Sequence, residues 1–440
     1  MRPRPLFYAA AALLLGPSYA GADDALLAEL KALKAAQKEL TLRIEALEKR
    51  LEERADAQTG LLPKASEAVV TVTEPEAAAE PSKGSLELKT AKTVLGVGGR
   101  IQLDAAYGWP EGSHFTGSIP MTSLGEKGQL SSSARDSRLW VKTRTPSEYG
   151  PVRTLIETDF WGSSGTERTT NSHGPRLRHA YLEVGPWTVG QTNSVFNASV
   201  TLDTLYDSLD YTLVRQPLLR YSGDHGSWAY DLSLEQPETT LIDPDGVIIT
   251  PQDDTLPDAG MRLRFYPKWG EADIAAMVRY IRQERALLSD GTQLQNSDRA
   301  VGWGVNSSAK VRIGMRDDIR FGFQYGDGIG RYVAYNAFAA GSIDTNGAIA
   351  LQEVYGGHLG YLHWWRDNLR STLAFSRVVT NNSGSAAQAT KEGRSVQANL
   401  LWTPVKSMMV GAEYARALRE LESGEEGEME LLRMTLRYDF

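Results

Sequence analysis

The stretch Leu432-Arg433-Met434-Thr435-Leu436-Arg437-Tyr438-Asp439-Phe440 alternates apolar and polar residues without a break. Side chains of a β-strand point to opposite faces in turn, so one face of this segment is greasy and the other charged. The same alternation recurs many times upstream. A wall with lipid on one side and water on the other has this pattern, which predicts an all-β transmembrane barrel and, from it, an outer-membrane pore.

Working outward, period-two segments begin near residue 93 and are separated by two kinds of connector. Short ones fall at 146–150, 185–186, 223–226, 268–270, 315–318, 365–368 and 404–406. Long polar ones fall at 108–134, 162–174, 192–212, 237–257, 284–298, 327–351, 380–393 and 417–428. Seven short and eight long connectors predict sixteen antiparallel strands, an even count that returns both ends of the wall to one side of the membrane. The segment at 187–191 is short, so fourteen or eighteen strands also stay open. A soluble propeller or solenoid would share the short strands and Gly-rich turns. No repeat of fixed period is present, however, and the polar faces carry long arginines where a packed soluble barrel holds aliphatics. Trp161, Trp187, Trp269, Trp364, Trp365 and Trp402 lie near strand ends and are expected in interfacial girdles.

Composition agrees with a barrel. The 440 residues include 41 glycines and are 41% hydrophobic, and a mean hydropathy of -0.34 is compatible with a membrane wall that turns half of each strand to an aqueous lumen. Cysteine is absent, which excludes disulfides and thiolate metal sites. A net charge of -8 argues against nucleic acid as a partner. The six histidines are scattered, and His358 and His363 on one strand should face opposite ways, so no metal site is expected. Gly96-Val97-Gly98-Gly99 is not read as a nucleotide loop, since Ile101 replaces the third fingerprint glycine and no helix follows. No cofactor, no catalytic residue and no enzymatic activity are expected.

Ahead of the barrel the sequence divides into three parts. Residues 1–22 have a basic start, a short apolar run and small residues suited to cleavage, as in a signal peptide. Residues 23–55 carry heptads with Leu26, Leu33, Leu40 and Leu47 at d and Leu30, Gln37, Ile44 and Leu51 at a, predicting a periplasmic α-helical coiled-coil stalk. A lone amphipathic helix lying on a partner is the other reading of these heptads. Residues 56–92, with Pro63, Pro75 and Pro81, are expected to be an extended tether, and residues 93–440 the barrel.

Fixing the apolar face outward assigns the lumen. Arg100, Gln102 and Asp104 point inward, as do Arg138, Glu157, Asp159, Arg176, Arg178, Arg220, Arg262, Arg264, Arg279, Arg320, Arg370, Arg433 and Arg437. Arg138, Arg178, Arg220, Arg262, Arg264, Arg279 and Arg320 are the candidate anion-selective pore lining, because a basic wall lowers the barrier for anions. Loop 192–212 is the candidate constriction, bringing Asp203, Tyr206, Asp207 and Asp210 opposite the arginines; capping of the rim or packing on a neighbouring subunit is its alternative role.

Several strings are similar to the DcaP-type trimeric porins of Gram-negative bacteria: Asp136-Ser137-Arg138-Leu139, Glu157-Thr158-Asp159-Phe160, Arg178-His179-Ala180-Tyr181, Gly190-Gln191-Thr192, Val214-Arg215-Gln216-Pro217 and Leu234-Glu235-Gln236-Pro237-Glu238-Thr239. The resemblance implies a sixteen-stranded homotrimer in the outer membrane that passes small anionic solutes, notably dicarboxylates. It also implies that Phe440 is the signal read by the barrel-assembly machinery. Asn193 departs from the pattern where an aromatic is expected. A reading of a different class is an envelope spacer, in which the coiled coil binds peptidoglycan and the pore is incidental.

Overall fold

The computed structural model describes residues 86–89 and 93–440, apart from 111–126, 164, 166–169, 335–336, 383–386 and 388. The expected signal peptide, the coiled-coil seam and most of the tether lie outside the described residues.

The wall has sixteen strands. The first four are β1 (Val94–Trp109), β2 (Gln129–Ser133 continued by Arg138–Thr145), β3 (Val152–Ser163) and β4 (Gly174–Val184). Then come β5 (Trp187–Asn193), β6 (Arg215–Asp224), β7 (Trp228–Glu235) and β8 (Asp258–Phe265). The tall side follows with β9 (Gly270–Glu284), β10 (Ser297–Ile313), β11 (Asp317–Asp327) and β12 (Glu353–Arg366). It ends with β13 (Leu369–Asn381), β14 (Thr390–Val405), β15 (Met408–Leu421) and β16 (Glu426–Asp439). Each pairs antiparallel with the next, and β1 pairs with β16 from Arg100↔Asp439 to Trp109↔Glu430, so the sheet closes. Phe440 extends the seam, its N–H and C=O exchanging bonds of 3.0 and 2.9 Å with Gly99. Leu86–Lys89, which the sequence places in the tether, pairs antiparallel with the start of β1.

Burial is inverted relative to a soluble protein. On β1, Ile101 and Leu103 are 62% and 52% exposed while Gln102 and Asp104 are 7% and 1% exposed. Along the wall the exposed large side chains are aliphatic and aromatic, and Asp, Gln, Asn, Ser and Arg fill the buried positions, as a lipid-facing barrel requires. Trp187, Trp228, Trp269, Trp365 and Trp402 form an outward aromatic belt at the short-turn end; Trp109 and Trp303 stand outward toward the long loops. Trp161 and Trp364 are not in a belt. Trp161 shares the inward parity of Glu157 and Asp159 and donates to Asp136 at 3.1 Å, while Trp364 lies inside under the Arg370 guanidinium. Trp365 shares the outward parity of Leu359 and Tyr361.

At the long-loop end, two hairpins form a four-stranded sheet: Leu241–Ile242 with Ile248–Ile249, and Gly341–Ile343 with Ile349–Leu351. Leu241, Ile281, Leu288, Leu294 and Ile343 pack in one apolar cluster beneath it. The second hairpin turns at Asp344, whose carboxylate is held below its usual range by the N–H groups of Ala348 and Asn346.

Candidate functional site

Residues 194–214, between β5 and β6, fold into the lumen. Irregular backbone at membrane depth must find its hydrogen bonds within the protein, and the inner wall supplies them. Val195 N–H donates to Glu235 at 2.9 Å, Val200 N–H to Ser308 at 3.0 Å and Leu209 N–H to Ser376 at 3.0 Å. Leu205 and Tyr206 N–H both donate to the Glu413 carboxylate, at 2.7 and 2.6 Å. In the other direction, Asn306, Asn399, Gln397 and Gln324 donate to the carbonyls of Phe196, Asp203, Tyr206 and Asp210 at 2.6–2.7 Å. The tying residues come from β7, β10, β11 and β13 to β15, so the loop lies along the inside of much of the wall. Gly260 and Gly360 on the inner face make room for it: a Cβ there would stand 2.5 Å from Val195 and 2.5 Å from Leu202.

A second loop, between β11 and β12, also dips inward. Gly330–Tyr332 form one 3-10 turn. Tyr332 is fully buried, donating to Asp258 at 2.8 Å and accepting from Gln216 at 3.0 Å. Val333 bridges to Thr212, and Ala334 N–H donates to Tyr211 C=O at 2.9 Å. Two loops thus pack together inside the wall. Sequence reading took 327–351 as a plain outer loop; the apolar run near residues 332–340 was the available signal.

Between these loops and the wall lies a cavity of about 1150 Å³. Nine arginines line it, at positions 100, 138, 176, 178, 215, 370, 419, 433 and 437, against four carboxylates, Asp136, Glu157, Asp203 and Asp207. Arg178 donates to Glu157 at 2.7 Å and to Asp159 at 2.8 Å, and Arg176 also pairs with Asp159. Arg138 reaches Glu157 only at 3.5 Å. Among the described residues, Arg138 Nε and Arg215 Nε find no hydrogen-bond partner.

Of the seven arginines selected from sequence, Arg138 and Arg178 line this cavity. The other five point inward but bind protein. Arg262 and Arg264 share Asp231, at 2.8 and 3.2 Å, and Arg262 also touches Asn197 C=O under the loop. Arg279, 2% exposed, donates to Asp258 at 2.9 Å and to the carbonyls of Gly328 and Glu238 at 2.7 Å each. Arg320 holds Asp318 and Thr201 C=O at 2.8 and 2.9 Å, and Arg220 lies 4.0 Å from Glu183. Strand parity says which face a residue takes, not what covers it. Among the loop residues, Asp203, Tyr206 and Asp207 line the cavity, Asp203 pairing with Arg370 at 2.5 Å. Asp210 is turned to the wall, 2.7 Å from His358 Nδ1. Arg215 and Arg419 were not singled out from sequence; Arg419 has the same inward parity as Ala415 and Ala417, and Arg215 opens β6. Asn193 also lines the cavity.

The model of the DcaP outer membrane protein family matches residues 77–440. The chain belongs to that family. A search of curated proteins returns no match. The outer membrane channel DcaP of Acinetobacter baumannii is similar in structure, with a TM-score of 0.68 at 23% identity over 80% of this chain and 99% of that one. An anion-selective porin from Comamonas acidovorans has a TM-score of 0.52 at 10% identity, over 79% of this chain and 100% of that one. OmpF of Salmonella typhi has a TM-score of 0.51 at 11% identity, over 81% and 100%. This DcaP-family chain is therefore an outer-membrane protein with the porin fold, a channel architecture rather than that of an enzyme.

Proposed function

We propose that the chain is a homotrimeric porin through which small anionic solutes, such as dicarboxylates, diffuse passively. The observation that carries this reading is the set of nine arginines around the cavity between the two inward loops, which outnumber the four carboxylates that line it even with Asp104, Asp159 and Asp439, which pair with Arg433, with Arg176 and Arg178, and with Arg437, counted against them. A dianion gains from this surplus twice what a monoanion gains, and Arg138 and Arg215 each keep an Nε with no hydrogen-bond partner among the described residues. The short turns and the N-terminal stalk face the periplasm in this reading, the long loops face outside, and Phe440 marks the chain for the barrel-assembly machinery.

The test is the zero-current potential of the purified full chain in a planar bilayer under a salt gradient. The expected result is a potential of the sign set by anions, with conductance in steps of three. A potential set by cations would overturn the reading.

A further inference from the structure

The lipid face of a barrel wall stays apolar until it nears the headgroups, where a charged side chain costs little. On β13 and β14 the first charges met at that level have one sign. Arg377 and Arg394 are direct partners in the ladder, and both turn outward, with side chains 53% and 47% exposed. Like charges placed opposite one another in a sheet repel. One carboxylate among the described residues stands beside them: Glu392 accepts two bonds from Arg377, at 2.9 and 2.8 Å, and leaves Arg394 Nε 3.8 Å away. Arg394 has no hydrogen bond among the described residues. The other outward cations nearby are matched, Lys391 by Glu420 and Arg416 by both Glu428 and Glu430. The opposed pair thus holds a spare positive charge and unused donors.

Height says what could use them. At about 3.3 Å per residue and a tilt of about 40°, β14 climbs about 20 Å from Trp402 in the short-turn belt to Arg394, close to the top of the ~25 Å apolar band. A guanidinium there reaches the headgroup level by stretching its stem toward water. Below it, Phe375 and Val396 face each other across the same two strands, and Leu373 and Leu400 are outward lower on the wall, all 46–60% exposed. Two arginine forks above an apolar bed fit one chemistry, a phosphate carried on acyl chains. A phosphoryl group accepts paired bonds from each fork, and its charge removes the repulsion between them.

We infer that Arg377 and Arg394 clamp a phosphate of lipid A, the phosphorylated glycolipid of the outer leaflet, whose acyl chains lie along Phe375, Val396, Leu373 and Leu400. The choice of lipid A over a glycerophospholipid rests on the reading proposed above, in which the long loops face outside and this end of the wall stands in the outer leaflet. Glu392 is the competitor of the phosphate, holding Arg377 when the site is empty.

The test titrates the purified full chain, freed of lipid in detergent, with diphosphoryl lipid A, with the same lipid after dephosphorylation, and with phosphatidylglycerol, and counts bound lipid by native mass spectrometry. The expected result is a preference for diphosphoryl lipid A that falls about tenfold or more when Arg377→Gln and Arg394→Gln are combined. Arg416→Gln, which removes a matched cation, should leave the affinity as it was. Glu392→Gln should tighten binding, a gain that a misfolded wall cannot mimic. No loss in the double variant, or an equal loss in Arg416→Gln, would overturn the inference. Phosphatidylglycerol held as tightly as lipid A, and lost in the same variant, would make the clamp a general lipid-phosphate site and overturn the assignment to lipid A. The clamp lies outside the lumen, so bilayer recordings separate the two claims: cation preference with lipid A retained sinks only the proposed selectivity, and anion preference without lipid discrimination sinks only the inference. Orientation is read separately in this cysteine-free chain from Asp290→Cys, which an impermeant maleimide should label on whole cells; absence of labelling would remove the outer-leaflet assignment and lipid A with it.

Discussion

Arg138 on β2 and Arg279 on β9 both point into the barrel, from opposite sides of the lumen's loop scaffold. Arg138 borders the cavity and is loosely held, its nearest carboxylate oxygen 3.5 Å away. Arg279 is sealed among Asp258, two loop carbonyls and the Tyr332 ring. The first is a fixed charge that a passing solute can feel. The second is a cross-link that holds the turn at Gly328 and Tyr332, together with the loop carbonyl of Glu238, to the wall. The comparison teaches that charge counted along an inner face overstates the charge a solute meets.

The largest effect expected from breaking this comparison is on stability. Arg279→Met leaves the Asp258 carboxylate buried without its cation, which costs about 3–5 kcal/mol; urea unfolding of the barrel should shift accordingly while ion preference stays put. An unmoved midpoint would show that the pair does not hold the loops. Next in size is Glu413→Gln, which weakens the bonds to the N–H groups of Leu205 and Tyr206. A loss of about 1.5–3 kcal/mol is expected, together with a noisier and larger open-channel current from a loosened loop. A quiet current of unchanged size would mean the loop is held elsewhere.

Smaller in energy but sharper for function is Arg138→Gln. Stability should change by about 1 kcal/mol or less, yet the zero-current potential should move toward the cation side by more than it does for Arg262→Gln. Equal shifts for the two variants would erase the distinction between cavity-facing and loop-covered arginines. The smallest effect belongs to Arg377→Gln on the outer rim, where an exposed pair with Glu392 at 2.8 Å is worth about 0–1 kcal/mol. A change of ion preference in this variant would show that charge far from the cavity also counts.

The wall was legible because its code is local. Period-two alternation with Gly, Pro and Asp turns located all sixteen strands, including the short β5, and the 194–214 loop was found from its length and its place after that strand. What failed was whatever depends on distant cover. Arg262, Arg279 and Arg320 have the right parity, but nothing near them in sequence announces the loop carbonyls that occupy them, and Arg264 is taken up by Asp231 on the neighbouring strand. Trp161 was misassigned for another reason: its aromatic character was weighed ahead of the parity it shares with Asp159, which already placed it inside. The inward turn at Tyr332 needed the Asp258 and Gln216 partners that only the folded barrel brings near.

The seam between β1 and β16 has a consequence for the order of folding. Every other neighbour in the wall is the next strand along the chain, within reach of a hairpin, whereas Arg100 and Asp439 meet only after the whole intervening sheet has formed. Closing so long a loop adds little entropy cost beyond a shorter one, about 0.6 kcal/mol per doubling of length, but it comes last and slowly. Until then β1 and β16 are two open edges that invite pairing with other chains. The growing sheet therefore needs one of those edges shielded until its own opposite end arrives.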